Sequence, residues 1–489
     1  MPFLREKILN LIGGKLQPPV SGEFFDNENP ATGEMFSQVP DSDERDLELA
    51  VAAAREAFPV WRDMGAEKRA AVMNKLADLI EERTDDFVFA ESADNGKPLS
   101  LAHMADIPRA ITNLRFFAEL GKTFGGQVFE SDKAVSYTLR QPFGVVATIS
   151  PWNLPLLLFT WKLAPALASG NCVIAKPSEV TPLTAFMLSE LAEEAGFPPG
   201  VLNVIHGKGP KIGAAITAHP GIPAISFTGG TATGKAIYSA AAPLLKKVSL
   251  ELGGKNPTIV FSDSDPDLAL QGAKIAGFTN QGQICLCGSR ILVQESIYEQ
   301  FRDEFVAQIK ALTIGDPLSP DVMMGAMVSK AHMEKVLGYI DLAVQEGGKI
   351  LCGGDRHVPQ GRCENGYFIQ PTVIEGLAPD CRINQEEIFG PVVTLIPFKD
   401  ENDAVEIANC TPYGLAATVW TEDAERAKRV SERLESGIVW VNCWNLRDLR
   451  TPFGGMKQSG VGREGGLRAL EFFTEEKTVC TPTVPLKAA

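Results

Sequence analysis

NCVIAKPSEVTPLTAFMLSELAEEAG, Asn171–Gly196, decides the fold class. Its first half is a short apolar run rich in β-branched residues, with no polar alternation. That is the signature of a strand buried on both faces. Pro177 and Pro182 mark a break. The second half, TPLTAFMLSELAEEAG, has the length and rhythm of a helix. The same unit recurs on either side of it. FGVVATIS, VLNVIHG, AISFTGG and KKVSLELGG are further short apolar runs, most of them separated by helix-like segments. Strands alternating with helices predict a parallel sheet with crossover connections, an α/β doubly wound domain. The pattern restarts with TIVFSD at Thr258 and a helix from Asp265. It continues through VVTLIPF and ATVW to about Gly455. Three helix-like stretches precede everything: ERDLELAVAAAREAF from Glu44, KRAAVMNKLADLIEER from Lys68 and DIPRAITNLRFFAEL from Asp106. The simplest division is a first unit before about residue 253 and a second after it.

The chain has 489 residues, 45% hydrophobic and 22% charged, with a formal net charge of -15. That length implies more than one substructure. The acidic balance argues against nucleic acid or an anionic membrane as the main partner. MPFLREKILNLIGGK has no apolar signal core, and LPLLLFTW from Leu154 is too short to span a bilayer, so a soluble, cytoplasmic protein is expected. Nine cysteines, an odd number, are read as free thiols. Only five histidines are present and none sits at zinc-ligand spacing from a cysteine, so no metal site is expected.

In open parallel sheets, ligands sit at the carboxyl ends of strands. Those ends here are SPWN, AKPSE, HGKG, FTGGTATG and LELGG. In FTGGTATG, Gly229, Gly230 and Gly234 lie between a strand and a helix, where backbone can approach a phosphate. A plain tight turn explains the stretch equally well. Lys176 can donate to ribose hydroxyls and Glu179 can accept from them. A carboxylate there repels a 2′-phosphate and favours NAD over NADP. A surface lysine and a glutamate in a first helical turn is the plainer alternative. Together the two motifs make a dinucleotide the leading reading.

NQGQICLCGSR, Asn280–Arg290, holds Cys285 and Cys287 between Gly282 and Gly288. Core thiols or a nucleophile remain possible. Glu251, flanked by apolar residues, is costly to bury without a partner or a task. It suits a base acting on water, and an ion pair with Lys255 is the alternative. The Asn153 amide suits an oxyanion donor, and an ordinary turn residue is the alternative. Thiol, carboxylate and amide together fit acyl transfer through a covalent thioester.

SPWNLP, AKPSE, FTGG, LELGGKNP, NQGQICLC, EEIFGPV and PFGGMKQSGVGRE stand in this order along nearly the whole chain. With these motifs the sequence resembles the NAD(P)-dependent aldehyde dehydrogenase superfamily. DIPRAITNLRFF and VWVNCWNLRDLRTPFGG are most similar to the branch that oxidises 2-aminomuconate and 2-hydroxymuconate 6-semialdehydes, in aromatic or tryptophan catabolism. The resemblance implies Cys285, not Cys287, as nucleophile and Glu251 as general base. It implies Asn153 and the Cys285 N–H as oxyanion hole. Lys176 and Glu179 are implied as adenosine-ribose contacts, and Gly229 and Gly230 as the turn near the pyrophosphate. Trp152 is implied beside the cofactor cleft, and Glu387 and Phe389 at the nicotinamide ribose and ring. Ile149, Ser178, Gly209, Gly234 and Leu252 complete the implied NAD site. Coenzyme-A-acylating relatives lack this glutamate, which favours water as acyl acceptor.

The fold implied is a Rossmann-like dinucleotide domain (1–123 and 143–252), an α/β catalytic domain (253–458) and a small β arm with C-terminal tail (124–142 and 459–489). A homo-oligomer, dimer or tetramer, is implied. Arg109 and Arg447 read as surface ion pairs with Asp106 and Asp448, the commoner fate of an arginine. In the muconic semialdehyde branch they are expected to grip a carboxylate at the substrate end remote from the aldehyde. The rival substrates are betaine aldehyde, aliphatic aldehydes, retinal and succinate semialdehyde. A catalytically silent structural protein on the same fold is the rival of another class.

Overall fold

The computed structural model describes residues 6–483, so the outermost residues of the expected first and last segments lie outside it. Five parallel strands form the heart of the first sheet. Their spatial order is Leu202–Val204, Cys172–Lys176, Val145–Ile149, Ala224–Thr228, Lys247–Glu251. Apart from Lys247 and Val248, every residue in them is buried, which is why these runs show no polar alternation. The hairpin Asn10–Ile12 and Lys15–Gln17 extends one edge, and Gly460–Val461 pairs antiparallel at the other. The chain winds outward from Val145–Ile149, then returns to the other side of that strand with Ala224–Thr228. This reversal opens a crevice at the carboxyl ends of the two central strands.

Within 171–196 the strand forms as read, but the regular helix is shorter, Leu183–Glu190. Ser189 Oγ donates back to Ala185 O at 2.8 Å, and Leu191 and Ala192 then bond three residues back instead of four. Such back-bonding tightens a helix and ends its regular turn. The early helices are Glu44–Asp63, Ala66–Glu82 and Ile107–Thr123. The first is closed by an Asp43/Asp46 capping box, a motif contributing about 1 kcal/mol.

The second sheet has the order Lys349–Cys352, Thr372–Glu375, Val392–Phe398, Arg290–Gln294, Pro257–Val260, Ala416–Trp420, Ile438–Val441. It is parallel except for its first pair. A third sheet joins Val128–Glu130, Ala134–Pro142 and Thr474–Pro482, all antiparallel, and leaves Val128 and Phe129 66% and 54% exposed. Of the tail that starts at residue 459, only Thr474–Pro482 lies in this sheet. Gly460–Val461 edges the first sheet, and Ala469, Leu470 and Phe473 pack into the first core. No helix among the described residues is long and apolar enough to cross a membrane.

Candidate active site

The carboxyl edge of the first sheet meets the amino edge of the second. Glu251 ends its strand, and the chain enters the second sheet six residues later at Pro257. The loop before Arg290 carries Cys285. This loop turns through three successive left-handed residues, Asn280 (φ 53°), Gln281 (φ 57°) and Gly282 (φ 70°). A side chain at Gly282 would sit 2.1 Å from Gly390 O, so glycine is required there. The two non-glycine residues cost about 1–3 kcal/mol each unless the surroundings hold them. They are held: Asn280 Nδ2 donates to Asn153 O at 3.0 Å, and Gln281 Nε2 donates to Ala326 O at 3.0 Å. Asn256 Nδ2 donates to Cys285 O at 2.8 Å and to Cys287 O at 2.9 Å. The loop thereby separates the two thiols. Cys287 is buried in an apolar cluster with Ile284, Trp440 and Phe453, while Cys285 is half-buried and faces open space.

Three cavities adjoin there. One of about 270 Å³ contains Glu251, Cys285, Arg109 and Arg447. A second, of about 230 Å³, contains Asn153, Cys285, Glu387 and Phe389. The third, of about 760 Å³, runs over the sheet crevice past Lys176 and Glu179. Cys285 lines the first two, and Trp152, Gly229 and Gly230 line the second and third. The thiol thus stands between the cavity of Glu251 and the cavity of Asn153, and the latter adjoins the passage along the first sheet.

Glu251 is buried and neither carboxylate oxygen has a partner, so the ion pair with Lys255 does not form. Gly454, at φ 157°, leaves room for the carboxylate: a Cβ there would be 2.8 Å from Glu251 Oε1. Burial, then the neighbouring Glu464, raises Glu251 well above the ordinary carboxylate range, and Lys162, Arg463 and Arg447 oppose the rise. Glu464 is itself held by Lys162 Nζ at 2.6 Å, Trp161 Nε1 at 2.7 Å and Ser226 Oγ at 2.9 Å. Burial also pushes the Cys285 thiol up, with Glu387, Glu251 and Cys287 adding to it and Arg447 opposing. Asn153 Nδ2 donates one hydrogen to Gln283 O at 3.0 Å. Its other N–H is left for the cavity. A thiol shared by two adjoining cavities, with an unpaired carboxylate on one and an amide donor on the other, supplies the parts that covalent acyl chemistry uses.

In the long cavity, Lys176 Nζ donates to Glu179 Oε2 at 3.1 Å, and Gly209 N donates to Glu179 Oε1 at 2.9 Å. Burial pushes Glu179 up, but the Lys176 charge and the Gly209 N–H more than offset it, and the carboxylate stays ionised at neutral pH. Ile149 and Ser178 line the same cavity. A Cβ on Gly230 would meet nothing, so the backbone is open to a ligand at the head of the helix Thr231–Ala241. Gly234 is different. It lines none of the three cavities, and a Cβ there would be 2.3 Å from Leu252 Cδ2. Its glycine serves packing of the helix on Leu252, which itself faces the first two cavities. Glu387 Oε1 accepts from Gly254 N at 2.9 Å, and Phe389, at φ 62°, sets its ring 5.2 Å from Trp152. His332 and Lys335 also line the second cavity, and sequence reading had not singled them out. His332 Nε2 donates to Phe389 O at 2.7 Å and burial holds the ring neutral, down to about 4.

The family model for the aldehyde dehydrogenase family matches residues 18–479. The chain belongs to that family. As an aldehyde dehydrogenase it is 49% identical over 474 residues to a 2-aminomuconic semialdehyde dehydrogenase of Danio rerio, covering 96% of this chain and 97% of the relative. It is 48% identical over 486 residues to a 2-hydroxymuconic semialdehyde dehydrogenase of Pseudomonas sp. (strain CF600), covering 97% and 99%. Among solved structures, the NAD+ complex of a Bacillus cereus aldehyde dehydrogenase superposes with a TM-score of 0.96 at 41% identity, covering 99% of this chain and 98% of that one.

In this aldehyde dehydrogenase the two arginines do not make the surface pairs that their neighbours suggested. Asp106 is bound by Lys97, and Asp448 by Arg450. Arg109 donates to Asn113 Oδ1 at 3.0 Å, and Arg447 Nε is buried without a partner. Both guanidinium groups lie against Trp161, at 5.6 and 5.9 Å from its ring, and Arg447 also lies 4.0 Å from the Phe453 ring. Burial, then the charge of Arg447, lowers Arg109 to about 10. Neither guanidinium makes an ion pair among the described residues, although Asp106, Glu251 and Glu464 line the same pocket, and two like charges so placed favour an anionic group between them.

Proposed function

We propose that this aldehyde dehydrogenase uses NAD to oxidise a semialdehyde bearing a carboxylate, 2-aminomuconate or 2-hydroxymuconate 6-semialdehyde, in aromatic or tryptophan catabolism. The observation that carries the substrate reading is the two arginines on the wall of the pocket that contains Cys285, Arg109 and Arg447, neither in an ion pair with a described residue and the second with a buried Nε that has no partner. The names of the two relatives point to the same substrates. Cys285 loses its thiol proton to water and adds its sulfur, as the thiolate, to the aldehyde carbon, and the Asn153 N–H with the Cys285 backbone N–H receives the oxyanion. The chemistry supplied by bound NAD is that of a hydride acceptor. Glu251 takes a proton from the water that hydrolyses the thioester left on Cys285, which releases the acid. Lys176 and Glu179 hold the adenosine ribose, with the open Gly230 backbone at the pyrophosphate. Trp152, Glu387 and Phe389 bound the nicotinamide end, beside His332 and Lys335. The exposed three-stranded sheet is the arm that joins copies into a dimer or tetramer. The protein acts in the cytoplasm.

The test is NADH formation from 2-hydroxymuconate semialdehyde beside hexanal. For the semialdehyde, Arg447→Ala is expected to lower kcat/KM by about 100-fold, the scale of two lost charge-assisted hydrogen bonds. Hexanal turnover stays within about three-fold, because no anion is left unpaired. Equal use of both aldehydes, indifferent to Arg447, would return the protein to the general aldehyde dehydrogenases.

Cofactor choice has its own check. Glu179→Gln is expected to raise kcat/KM with NADP by about ten-fold, since it removes a half-buried negative charge facing a 2′-phosphate. Unchanged discrimination in steady-state kinetics would move the selectivity away from Glu179.

A further inference from the structure

The Asn153 loop is tied to the rest of the protein by more than its amide. Asn153 O accepts two buried donors, Asn280 Nδ2 at 3.0 Å and Lys97 Nζ at 3.1 Å. The first donor belongs to the loop that carries Cys285. The second comes from a different direction. Lys97 follows the helix Thr84–Asn95, past Gly96 at φ 85°, and its side chain is fully buried. Lys97 Nζ makes its tightest contact with Asp106, which is also buried and lines the pocket of Glu251 and Cys285. A second carboxylate, Glu91, stands 4.0 Å away and spends its oxygens on Thr184 Oγ1 at 2.8 Å and Leu156 N. A buried ammonium would pair with carboxylates alone if charge balance were its whole purpose. This one instead spends a donor on the main-chain carbonyl of the residue whose amide faces the thiol.

We propose that Lys97, fixed by Asp106, is a positioning residue for the Asn153 amide: it is the second clamp on the Asn153 carbonyl, beside Asn280, so that the free N–H of the amide points at the space in front of Cys285. The inference rests on the oxyanion reading of Asn153. The logic is geometric. One amide hydrogen is anchored on Gln283 O at 3.0 Å, so the direction of the other depends on where the Asn153 main chain sits. Two anchors on its carbonyl set that position. Without Lys97, only Asn280 of the two donors remains on that carbonyl, and it also donates to Gln283 O at 3.3 Å; the adjoining Trp152 carbonyl keeps its own anchor, Asn95 Nδ2 at 2.9 Å, so the expected displacement is small and is felt at the amide. An oxyanion donor acts only within a few tenths of an ångström of its place.

The experiment is a double-mutant cycle on the full-length enzyme with hexanal, which has no carboxylate for the arginines. Lys97→Met is expected to lower kcat about 10- to 100-fold, below the about 100- to 1000-fold loss from removing the donor itself in Asn153→Ala. KM and the NAD dissociation constant stay within about three-fold, because a positioning defect is felt in the transition state. In the Asn153→Ala background, Lys97→Met changes kcat by less than about two-fold, since the group it positions is gone. A merely structural lysine would give losses that multiply in the double variant, and that result overturns the proposal. So does a silent Lys97→Met beside a crippled Asn153→Ala. A near-normal Asn153→Ala would instead overturn the oxyanion reading beneath it. If Lys97→Met strands the Asp106 charge and does not fold, Lys97→Met/Asp106→Asn removes both charges and is measured in the same cycle.

Discussion

Cys285→Ala is expected to abolish NADH formation, a loss of more than about 10,000-fold in kcat, while Cys287→Ala keeps kcat within about two-fold. The two thiols are separated by one residue, and the difference is made by the loop. Asn256 grips both carbonyls, and the left-handed run from Asn280 to Gly282 turns one side chain into the cavities and the other into the Trp440–Phe453 cluster. A thiol that packs as a small apolar group has nothing to lose but contact area, and alanine replaces it at small cost. A thiol that forms the covalent bond has no substitute within reach. NAD binding supplies the control, because the long cavity along Lys176 and Glu179, proposed for the adenosine end, does not include Cys285. The expected result is therefore a variant that binds NAD like the parent and turns over nothing. Alkylation by iodoacetamide, read by mass spectrometry, should mark Cys285 before Cys287. Activity that survives at Cys285→Ala, or that vanishes at Cys287→Ala, reverses the assignment.

The same loop shows how far sequence reading reaches. Glu251, Asn153, Lys176 and Glu179 could be placed because strand ends are recognisable, and in a doubly wound sheet all of them face one edge. The strands were plain because both of their faces are buried. What escaped depends on partners distant in sequence. Lys97 in NGKP reads as an ordinary turn lysine, and only its burial against Asp106 and Asn153 reveals otherwise. Asp448 was the nearest acid to Arg447, yet it pairs with Arg450, while the Arg447 side chain turns into the pocket against Trp161 and Phe453. Gly234 belongs to a glycine-rich turn in sequence and to helix packing in space. Lys162 was the missed signal that a sequence could have raised. A lysine inside FTWKLAPALA must find a buried acid, and Glu464 is that acid. His332 and Lys335 come from a helix of the second unit, and nothing in their local pattern points to a cavity.

Glu251→Gln should separate the two halves of the reaction. The first turnover needs the thiol and the oxyanion donor, so a burst of one NADH per site is expected to persist. The steady rate should fall about 100- to 1000-fold, the usual worth of a general base. The pH dependence follows from the environment of this carboxylate. Burial and the Glu464 charge raise it, so the folded protein keeps the Glu251 proton where an unfolded chain has lost it. A base must be ionised, so the steady rate climbs with pH through the raised value and levels above it. Stability runs the opposite way. Between the ordinary carboxylate range and the raised value the folded state binds more protons than the unfolded state, so this group's contribution declines as pH rises through that window. Glutamine removes both effects. At pH 5 the parent and Glu251→Gln should melt close together. At pH 8 the variant should melt higher, because it no longer buries an unpaired charge. A hydrolysis defect without that gain in thermal stability would mean that the carboxylate is not held under strain in the resting enzyme. A gain in stability with normal turnover would mean that water is activated by another group, and Glu464, another buried carboxylate of the same pocket, would be the next to replace.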